Sequence, residues 1–203
     1  IEIALSAHEE KRAFLEQLLE TGGMGPLGFL AMRRDGYPYI GLEHAQYLIG
    51  VEGLNECVQV LLNTEMHRTE EAAALAERIL AHLGERIGVR GAHRNLCAAL
   101  SQNNDAALSN RFATLDLGAF PRTARSTVKA DPATQALQYT TGARLHWAHD
   151  LVPAEGLRVE GRFHAYLQAG AVAGIPAPVF YLFAAWVAVI GLATGGATAG
   201  AGY

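Results

Sequence analysis

Among the residues able to do chemistry, Asn55 and Glu56 stand out because they are adjacent polar residues in a largely apolar stretch, GLEHAQYLIGVEGLNECVQVLL. A carboxylate can transfer protons and accept hydrogen bonds, and an amide can both donate and accept them. We therefore predict that Asn55 and Glu56 bind a substrate. The competing interpretation is an ordinary polar face that is solvated or hydrogen-bonded across an interface.

Two cysteines and a pair of histidines are the other candidates for redox or metal chemistry. Cys57 and Cys97 are too few for a disulfide framework or a four-cysteine zinc site, so we expect reduced thiols. Cys57 is expected to face the core as a small hydrophobic residue, and a redox thiol is the alternative. His146 and His149 form an HxxH pair without carboxylate or thiolate ligands at convincing spacing, so we predict no metal there.

The element predicted to carry Asn55 and Glu56 is a single helix over residues 41–62. Its apolar residues recur at helical spacing, and they are Tyr47, Val51, Leu54, Val58 and Leu61. Gly50 and Gly53 lie inside this pattern, where each costs about 1 kcal/mol relative to alanine. Their presence indicates that another segment passes close by.

Helix-capping residues and the spacing of apolar residues predict further helices and strands. We predict an amphipathic helix over residues 2–20, a helix that begins after Thr69 and ends at Gly88 and Gly91, and a helix that begins at Pro153. Residues 95–100 fit either a strand or a short helix. Residues 111–117 alternate as a strand does, 121–135 are typical of a loop, and 137–141 predict a short strand.

Composition limits the function classes. Half of the 203 residues are hydrophobic, which suits one domain or part of a larger one. The net charge of −4 and the pI near 6.1 predict no nucleic-acid partner. The first residues are too charged for a signal peptide, so we expect a cytoplasmic protein. Because the sequence does not begin with methionine, we expect a fragment or a processed product.

The end of the chain has a different composition, since residues 165–203 contain no Asp, Glu, Lys, Arg or His. Its apolar centre, VFYLFAAWVAVIGLA at residues 179–193, is shorter than the about 20 residues that cross a bilayer. Burial in a large barrel or a subunit interface is the favoured interpretation. A membrane span that starts near Gly174 is the alternative.

Several blocks resemble, in order, the anaerobic (class III) ribonucleoside-triphosphate reductases, which are glycyl radical enzymes. The blocks are HEEKRAFLEQLLE, GPLGFLAMRRDGYPYIGLEHAQYLIGVEGLNECVQ, ALAERILAHLGER, RFATLDL, LQYTTGARL and VEGRFHAYLQAGAV. They extend from about residue 7 to residue 171. Their common order carries the resemblance, because no single block is specific by itself.

The resemblance implies an α/β fold, helix-rich in this chain, that forms part of a ten-stranded barrel. Residues 1–171 would be the C-terminal part of the reductase barrel, and residues 172–203 would be an apolar tail with a divergent glycyl radical loop. Gly202, followed by Tyr203, is the implied radical site. Ala199 stands where the family has an arginine, and the paired CxxC zinc motifs of the family are absent, so no zinc site is visible in the chain.

The resemblance also implies reduction of ribonucleoside triphosphates to deoxyribonucleoside triphosphates. A radical-SAM activase with an iron–sulfur cluster would use S-adenosylmethionine to generate the glycyl radical, which passes to a cysteine. That thiyl radical removes the ribose 3′ hydrogen. The family's cysteine lies on a finger loop before the matched region, so we expect it outside this chain. The implied partners are the activase, the rest of the subunit, substrate and effector nucleotides, and a second copy in a homodimer.

Two other functions fit the same residues. One is a glycyl radical enzyme with a different substrate. The other is a non-catalytic interaction or membrane-associated module derived from such an enzyme. The absent zinc cysteines, the missing arginine and the uncharged tail favour the module, whereas the ordered set of blocks favours the reductase.

Overall fold

The computed structural model describes residues 1–20, 25, 27–131, 134–146 and 149–171, which form helices and short strands. The helices are α1 (Glu2–Glu20), α2 (Leu54–Leu62), α3 (Glu70–His93), α4 (Ala106–Ala119), α5 (Pro121–Thr127) and α6 (Pro153–His164). The strands are β1 (Arg33–Arg34), β2 (Tyr37–Pro38), β3 (Gln46–Val51), β4 (Cys97–Gln102), β5 (Lys129–Ala130) and β6 (Leu137–Gln138). The predicted α/β class is confirmed, as are the helices over residues 2–20 and from Pro153.

The centre of the described fold is the parallel pair β3 and β4. Gln46 lies opposite Cys97 at one end, and Val51 lies opposite Gln102 at the other. Parallel strands need a crossover connection, which α2 and α3 provide here. Both strands therefore end at the same edge. The pairs β1–β2 and β5–β6 are antiparallel and short.

The main hydrophobic core lies between α2, α3, β4 and α6. Its most deeply buried members are Leu54, Val58, Met66, Leu80, Ile87, Leu100 and Phe163. A smaller cluster of Leu5, Tyr47 and Leu96 joins α1 to the other end of the strand pair. Burial of these side chains provides most of the favourable free energy of folding. It also fixes α2 against the strands, which positions the first turn of α2 beside the strand ends.

The predicted single helix over residues 41–62 is wrong, because this stretch contains a 3₁₀ turn, β3 and α2. Gly53 adopts a φ of 70°, a left-handed conformation that reverses the chain between strand and helix. The predicted close approach is confirmed at Gly50, where a Cβ would lie 2.8 Å from the Cβ of Asn103. The helical spacing of Tyr47 and Val51 is coincidental, since both belong to β3.

The end predicted for α3 is also wrong, although its start is confirmed. Thr69 Oγ1 accepts a hydrogen bond from the amide of Ala72 at 3.2 Å, as expected of an N-cap. The helix then continues through Gly88 and Gly91 to His93. A Cβ on Gly91 would lie 2.7 Å from the Cβ of Ala98, so this glycine allows α3 to pack closely on β4.

The strand predicted over residues 111–117 is wrong, since these residues lie within α4. Asp105 begins this helix, because its Oδ1 accepts hydrogen bonds from the amides of Ala107 and Leu108. The loop predicted over residues 121–135 is wrong in part. Pro121 occupies the first position of α5, where its missing N–H costs nothing, and β5 follows.

The remaining local predictions have mixed outcomes. Residues 97–102 form a strand, which decides between the two structures considered for that region. The short strand predicted over residues 137–141 is confirmed for Leu137–Gln138, with an isolated bridge at Thr141. In the described ranges, no helix has the length and apolar character that a bilayer crossing requires. The apolar tail and Gly202 lie outside the described residues.

Candidate functional site

The candidate site lies at the edge where β3 and β4 both end. Glu52 directly follows β3, and Asn103 directly follows β4. Asn103 Nδ2 donates a hydrogen bond of 2.8 Å to Glu52 Oε1, so the two strand ends are joined through side chains. Ligands of parallel sheets bind outside the carboxyl ends of the strands, which makes this edge the first place to examine.

Glu52 also anchors a third segment, residues 139–142, at the same edge. The amide of Gly142 donates to Glu52 Oε2 at 3.2 Å, and the backbones of Glu52 and Thr141 form an isolated antiparallel bridge. Burial raises the pKa of Glu52 to about 7, against the opposing effect of the hydrogen bonds from Gly142 and Asn103. This carboxyl group can therefore change its protonation near neutral pH.

Glu56 lies in the first turn of α2 and is 4% exposed. Its Oε1 accepts hydrogen bonds from the amide of Thr140, at 3.1 Å, and from the Thr140 hydroxyl. Burial raises the pKa of Glu56, while these hydrogen bonds and the nearby Asn55 side chain lower it. Among the described residues, no partner of acceptable geometry is found for Glu56 Oε2.

Asn55 is 1% exposed and holds the connection that follows α2. Its Oδ1 accepts a hydrogen bond of 3.1 Å from the amide of Met66. Its Nδ2 makes no hydrogen bond within the described part of the chain. The structure thus brings Asn55 and Glu56 to the helix end beside the strand edge. Substrate binding by either residue stays a prediction.

A groove of about 550 Å³ begins at Glu52 and Glu56 and continues between α2, α4 and α5. Its other walls are mainly apolar and come from Gly53, Cys57, Val60, Leu61, Phe112, Leu115, Asp116, Phe120, Thr123, Ala124, Thr127 and Tyr139. An apolar cavity with a few polar groups at one end is typical of a small-molecule site. The volume lies within the usual range for such sites, about 300–1,000 Å³.

Tyr139 and Asp116 form a hydrogen-bonded pair of polar side chains in the lining of the groove. The Tyr139 hydroxyl donates a hydrogen bond of 2.9 Å to Asp116 Oδ2. Burial and this carboxylate both raise the pKa of Tyr139, so the phenol stays protonated at neutral pH. The pair connects the segment that Glu56 holds to α4 on the opposite wall.

The cysteines differ from the prediction. Cys57 does not face the core, because it is exposed and lines the groove. The cause is the start of α2 at Leu54, which directs Leu54 and Val58 to the core and the side chain of Cys57 outward. Partial burial raises the pKa of the Cys57 thiol, which disfavours the reactive thiolate. Cys97 is exposed at the beginning of β4, the opposite end from Glu52.

A second pocket, of about 260 Å³, lies behind the segment that carries Tyr139 and Thr140. It is lined by Asn104, Ala106, Asp131, Gln138, Tyr139, Thr140, Thr141, Arg144, Leu145 and His146. Burial, and next the Lys129 cation, lower the pKa of His146 to about 4, so this histidine is neutral. Throughout the described ranges, no three His, Cys, Asp or Glu side chains are arranged to hold a metal ion.

A family model described as anaerobic ribonucleoside-triphosphate reductase matches residues 1–178. The chain belongs to the anaerobic ribonucleoside-triphosphate reductase family. The resemblance found in the sequence is thereby confirmed, and with it the class of oxidoreductase. A search of curated proteins gave no significant match.

For this reductase family member, sequence reasoning missed Glu52 and Asn103. Glu52 was hidden because residues 41–62 were interpreted as one helix, which placed it in mid-helix instead of at a strand end. The signal that could have revealed it is a β-rich run, Gln46–Val51, followed by Glu-Gly and then a helix. Asn103 follows from the same reasoning once β4 is recognised as the parallel partner.

Proposed function

We propose that this chain is part of the catalytic subunit of a reductase that converts ribonucleoside triphosphates to deoxyribonucleoside triphosphates by glycyl and thiyl radical chemistry. The family match over residues 1–178 is the observation that carries this proposal. The groove at the end of β3 and β4 supports it, because it offers a partly apolar site with carboxyl groups at one end.

In this proposal, residues 1–171 belong to a ten-stranded barrel, and β3 and β4 are two neighbouring strands of it. The apolar tail, residues 172–203, carries the radical loop with Gly202 as the radical site. Glycine suits this role because its α-carbon radical can be planar and conjugated with both flanking amides. The absence of a side chain leaves that planarity unobstructed.

Glu52 is the residue that we assign to proton transfer. Loss of the ribose 2′ hydroxyl as water requires one proton, which a carboxyl group with a pKa near 7 can supply. Glu56 contributes to substrate binding from the groove wall. Asn55 acts from the same helix turn by fixing the connection to Met66.

The proposed partners follow from the same chemistry. A radical-SAM activase with an iron–sulfur cluster would use S-adenosylmethionine to generate the radical on the glycine α-carbon by removing one hydrogen atom. The remainder of the subunit supplies the thiyl cysteine. Substrate and effector nucleotides bind the assembled enzyme, which we propose is an allosteric homodimer in DNA precursor synthesis.

A non-catalytic interaction module is the second candidate. Leu61 and Phe120 are 61% and 65% exposed on the groove walls, and such apolar surface also suits a protein partner. The two functions differ in whether any ribonucleotide is reduced.

An anaerobic turnover assay tests the reductase. The full-length subunit, including the remainder that supplies the thiyl cysteine, is activated with a radical-SAM activase and S-adenosylmethionine, and each ribonucleoside triphosphate is then supplied with a reductant. We expect deoxyribonucleotide product, and a fall in kcat of at least about 100-fold for Glu52→Gln, as removal of a general acid predicts. No product, while the same activase preparation activates another glycyl radical enzyme, would favour the interaction module.

A further inference from the structure

Gly50 lies in β3, and its missing side chain leaves room for Asn103 at the end of β4. A Cβ on Gly50 would lie 2.8 Å from the Asn103 Cβ and 3.6 Å from both its Cα and its Cγ. Real Cβ atoms essentially never approach another atom as closely as 2.8 Å. A glycine inside a strand weakens it and often marks a place where another backbone passes close by. A methyl group at Gly50 would therefore displace the Asn103 side chain.

Asn103 fills this space with an amide that is directed at Glu52. Its Nδ2 donates a hydrogen bond of 2.8 Å to Glu52 Oε1, and the Gly142 amide donates one of 3.2 Å to Glu52 Oε2. Each carboxyl oxygen thus has one donor, and the two donors come from different segments. A carboxyl group held at both oxygens has a fixed orientation, which proton transfer to a substrate requires. Of the two donors, only Asn103 uses a side chain, so a substitution can remove it.

The charged groups that face Glu52 are Glu56 in α2 and Asp105, the residue before α4. Burial is the main cause that raises the pKa of Glu52, and these two carboxylates raise it further. The hydrogen bonds from Gly142 and Asn103 lower this pKa, because a donor favours the charged form of a carboxyl group. Loss of the Asn103 amide should therefore leave Glu52 protonated to a higher pH.

We propose that Asn103 is a positioning residue that orients the carboxyl group of Glu52, and that Gly50 provides the space for it. Asn103 acts on the reaction through Glu52, so its effect on turnover rests on the proposed function. Its amide is neutral and holds Oε1 without adding an ion to a half-buried site. A change at Gly50 should reach Glu52 through Asn103.

Infrared titration of the full-length subunit tests this proposal without radical activation. The C=O stretch of protonated carboxyl groups is followed against pH, and the part of the signal that Glu52→Gln removes from each variant belongs to Glu52. In the unmodified subunit we expect the midpoint of this signal near pH 7. Asn103→Ala should move the midpoint upward by about one pH unit, which corresponds to one hydrogen bond to a charged group. Asn103→Asp should also move it upward, because a second carboxylate would face Oε1.

Gly50→Ala distinguishes positioning from the loss of a polar group. Its methyl group should displace Asn103 and move the midpoint upward, although no donor has been removed from the chain. Combined with Asn103→Ala, it should add no further change. The controls are Asn104→Ala, which removes an exposed neighbouring amide, and Gly88→Ala, which adds the same methyl group in open space. Both controls should keep the midpoint of the unmodified subunit.

An unchanged midpoint in Asn103→Ala, or an equal change in Asn104→Ala, would overturn the positioning role of Asn103. If Asn103→Ala does not fold, the variant of the same shape, Asn103→Asp, replaces it, and an unchanged midpoint there overturns the proposal. An unchanged midpoint in Gly50→Ala would overturn the part assigned to Gly50.

The pH dependence of kcat after activation separates this proposal from the proposed function. If Glu52 donates a proton, kcat should fall as the pH rises through the Glu52 midpoint, and Asn103→Ala should move this fall to higher pH. A titration midpoint that moves while the profile of kcat stays in place would contradict proton transfer by Glu52. It would leave the positioning of Glu52 by Asn103 standing.

Discussion

Glu52 is half-buried and Glu56 is buried at the same edge, and the two carboxyl groups hold different parts of the chain. Glu52 joins the ends of both strands to Gly142, whereas Glu56 holds Thr140 through the amide and the hydroxyl. Glu52 has the pKa that proton transfer near neutrality requires. Glu56 is more deeply buried and fixes the segment against which a ligand in the groove would rest.

The protonation of Glu52 should make the free energy of unfolding depend on pH. Its pKa is about 7 in the folded protein and 4.5 in an ordinary environment. Its stabilising contribution is therefore complete below pH 4.5 and is lost as the pH rises through 7. We expect Glu52→Gln to remove this decrease, measured as the difference from the unmodified protein in urea unfolding between pH 4.5 and 8.

The matched control for Glu52 is Glu10→Gln, because Glu10 is exposed on α1. This variant should keep the pH profile of the unmodified protein. The interpretation of Glu52 is wrong if Glu52→Gln and Glu10→Gln have the same profile.

Glu56→Ala should destabilise the fold, because the amide and the hydroxyl of Thr140 lose their acceptor at a buried site. We expect a decrease of about 2–3 kcal/mol in the free energy of unfolding, measured by urea denaturation at pH 7. Glu10→Ala should change it by less than about 0.5 kcal/mol. Similar values for the two variants would show that Glu56 does not hold the 139–142 segment.

The sequence could predict part of this site, and the reasons are local. Asn55 and Glu56 are noticeable because they interrupt an apolar run. Asn103 could not be recognised, since its hydrogen bond to Glu52 joins residues 51 positions apart in the sequence. The outward direction of Cys57 depended on where α2 begins, which the apolar spacing did not reveal.

At the scale of elements, the α3–β4 contact decides how the strand pair is covered. Gly91 is the point of closest approach, with a hypothetical Cβ 2.7 Å from the Ala98 Cβ and 3.0 Å from the Leu96 carbonyl oxygen. Gly88, three residues earlier in the same helix, has open space around its α-carbon. The two glycines therefore allow a matched comparison.

Gly91→Ala should decrease the free energy of unfolding by about 1–3 kcal/mol, since overpacking requires α3 or β4 to move. Gly88→Ala should instead increase it, by up to about 1 kcal/mol, because alanine favours the helix more than glycine does. Urea denaturation of both variants measures the contrast. A stabilising Gly91→Ala would contradict the close packing of α3 on β4.

The predicted helices are correct where a capping residue marks the start of the helix. The predictions are wrong where a short run of residues fits the spacing of a helix and that of a strand equally well. Thr69 and Pro153 mark helix starts by a chemical rule, and both are confirmed. Residues 111–117 alternate in polarity over too few positions to exclude a helix. Residues 41–62 repeat at helical spacing although a strand and a left-handed Gly53 divide them.

At the scale of the whole molecule, we propose that the described strands belong to a larger barrel. The parallel pair β3–β4 has helices and the 139–142 segment at one end, and the amide of Ala169 donates to the Leu100 carbonyl along β4. Leu61, Leu115 and Phe120 are exposed along the groove. In the proposed barrel, further strands and the apolar tail would cover these surfaces.

The family could be predicted from the sequence because many weak blocks occur in one order, and the match over residues 1–178 confirms it. The chemistry of the tail could not be fixed in the same way. A Gly-Tyr pair in a region rich in glycine and alanine has little specificity, and Ala199 lacks the positive charge of the family's arginine. Radical formation at Gly202 therefore stays a prediction.

Low-temperature electron paramagnetic resonance after anaerobic activation tests whether Gly202 carries the radical. The full-length subunit is incubated with reduced radical-SAM activase and S-adenosylmethionine, as are its Gly202→Ala and Gly200→Ala variants. We predict a glycyl doublet, split by the remaining α-hydrogen, that persists in Gly200→Ala and disappears in Gly202→Ala. A doublet that survives in Gly202→Ala, or no doublet while the activase activates another glycyl radical enzyme, would contradict radical chemistry at this tail.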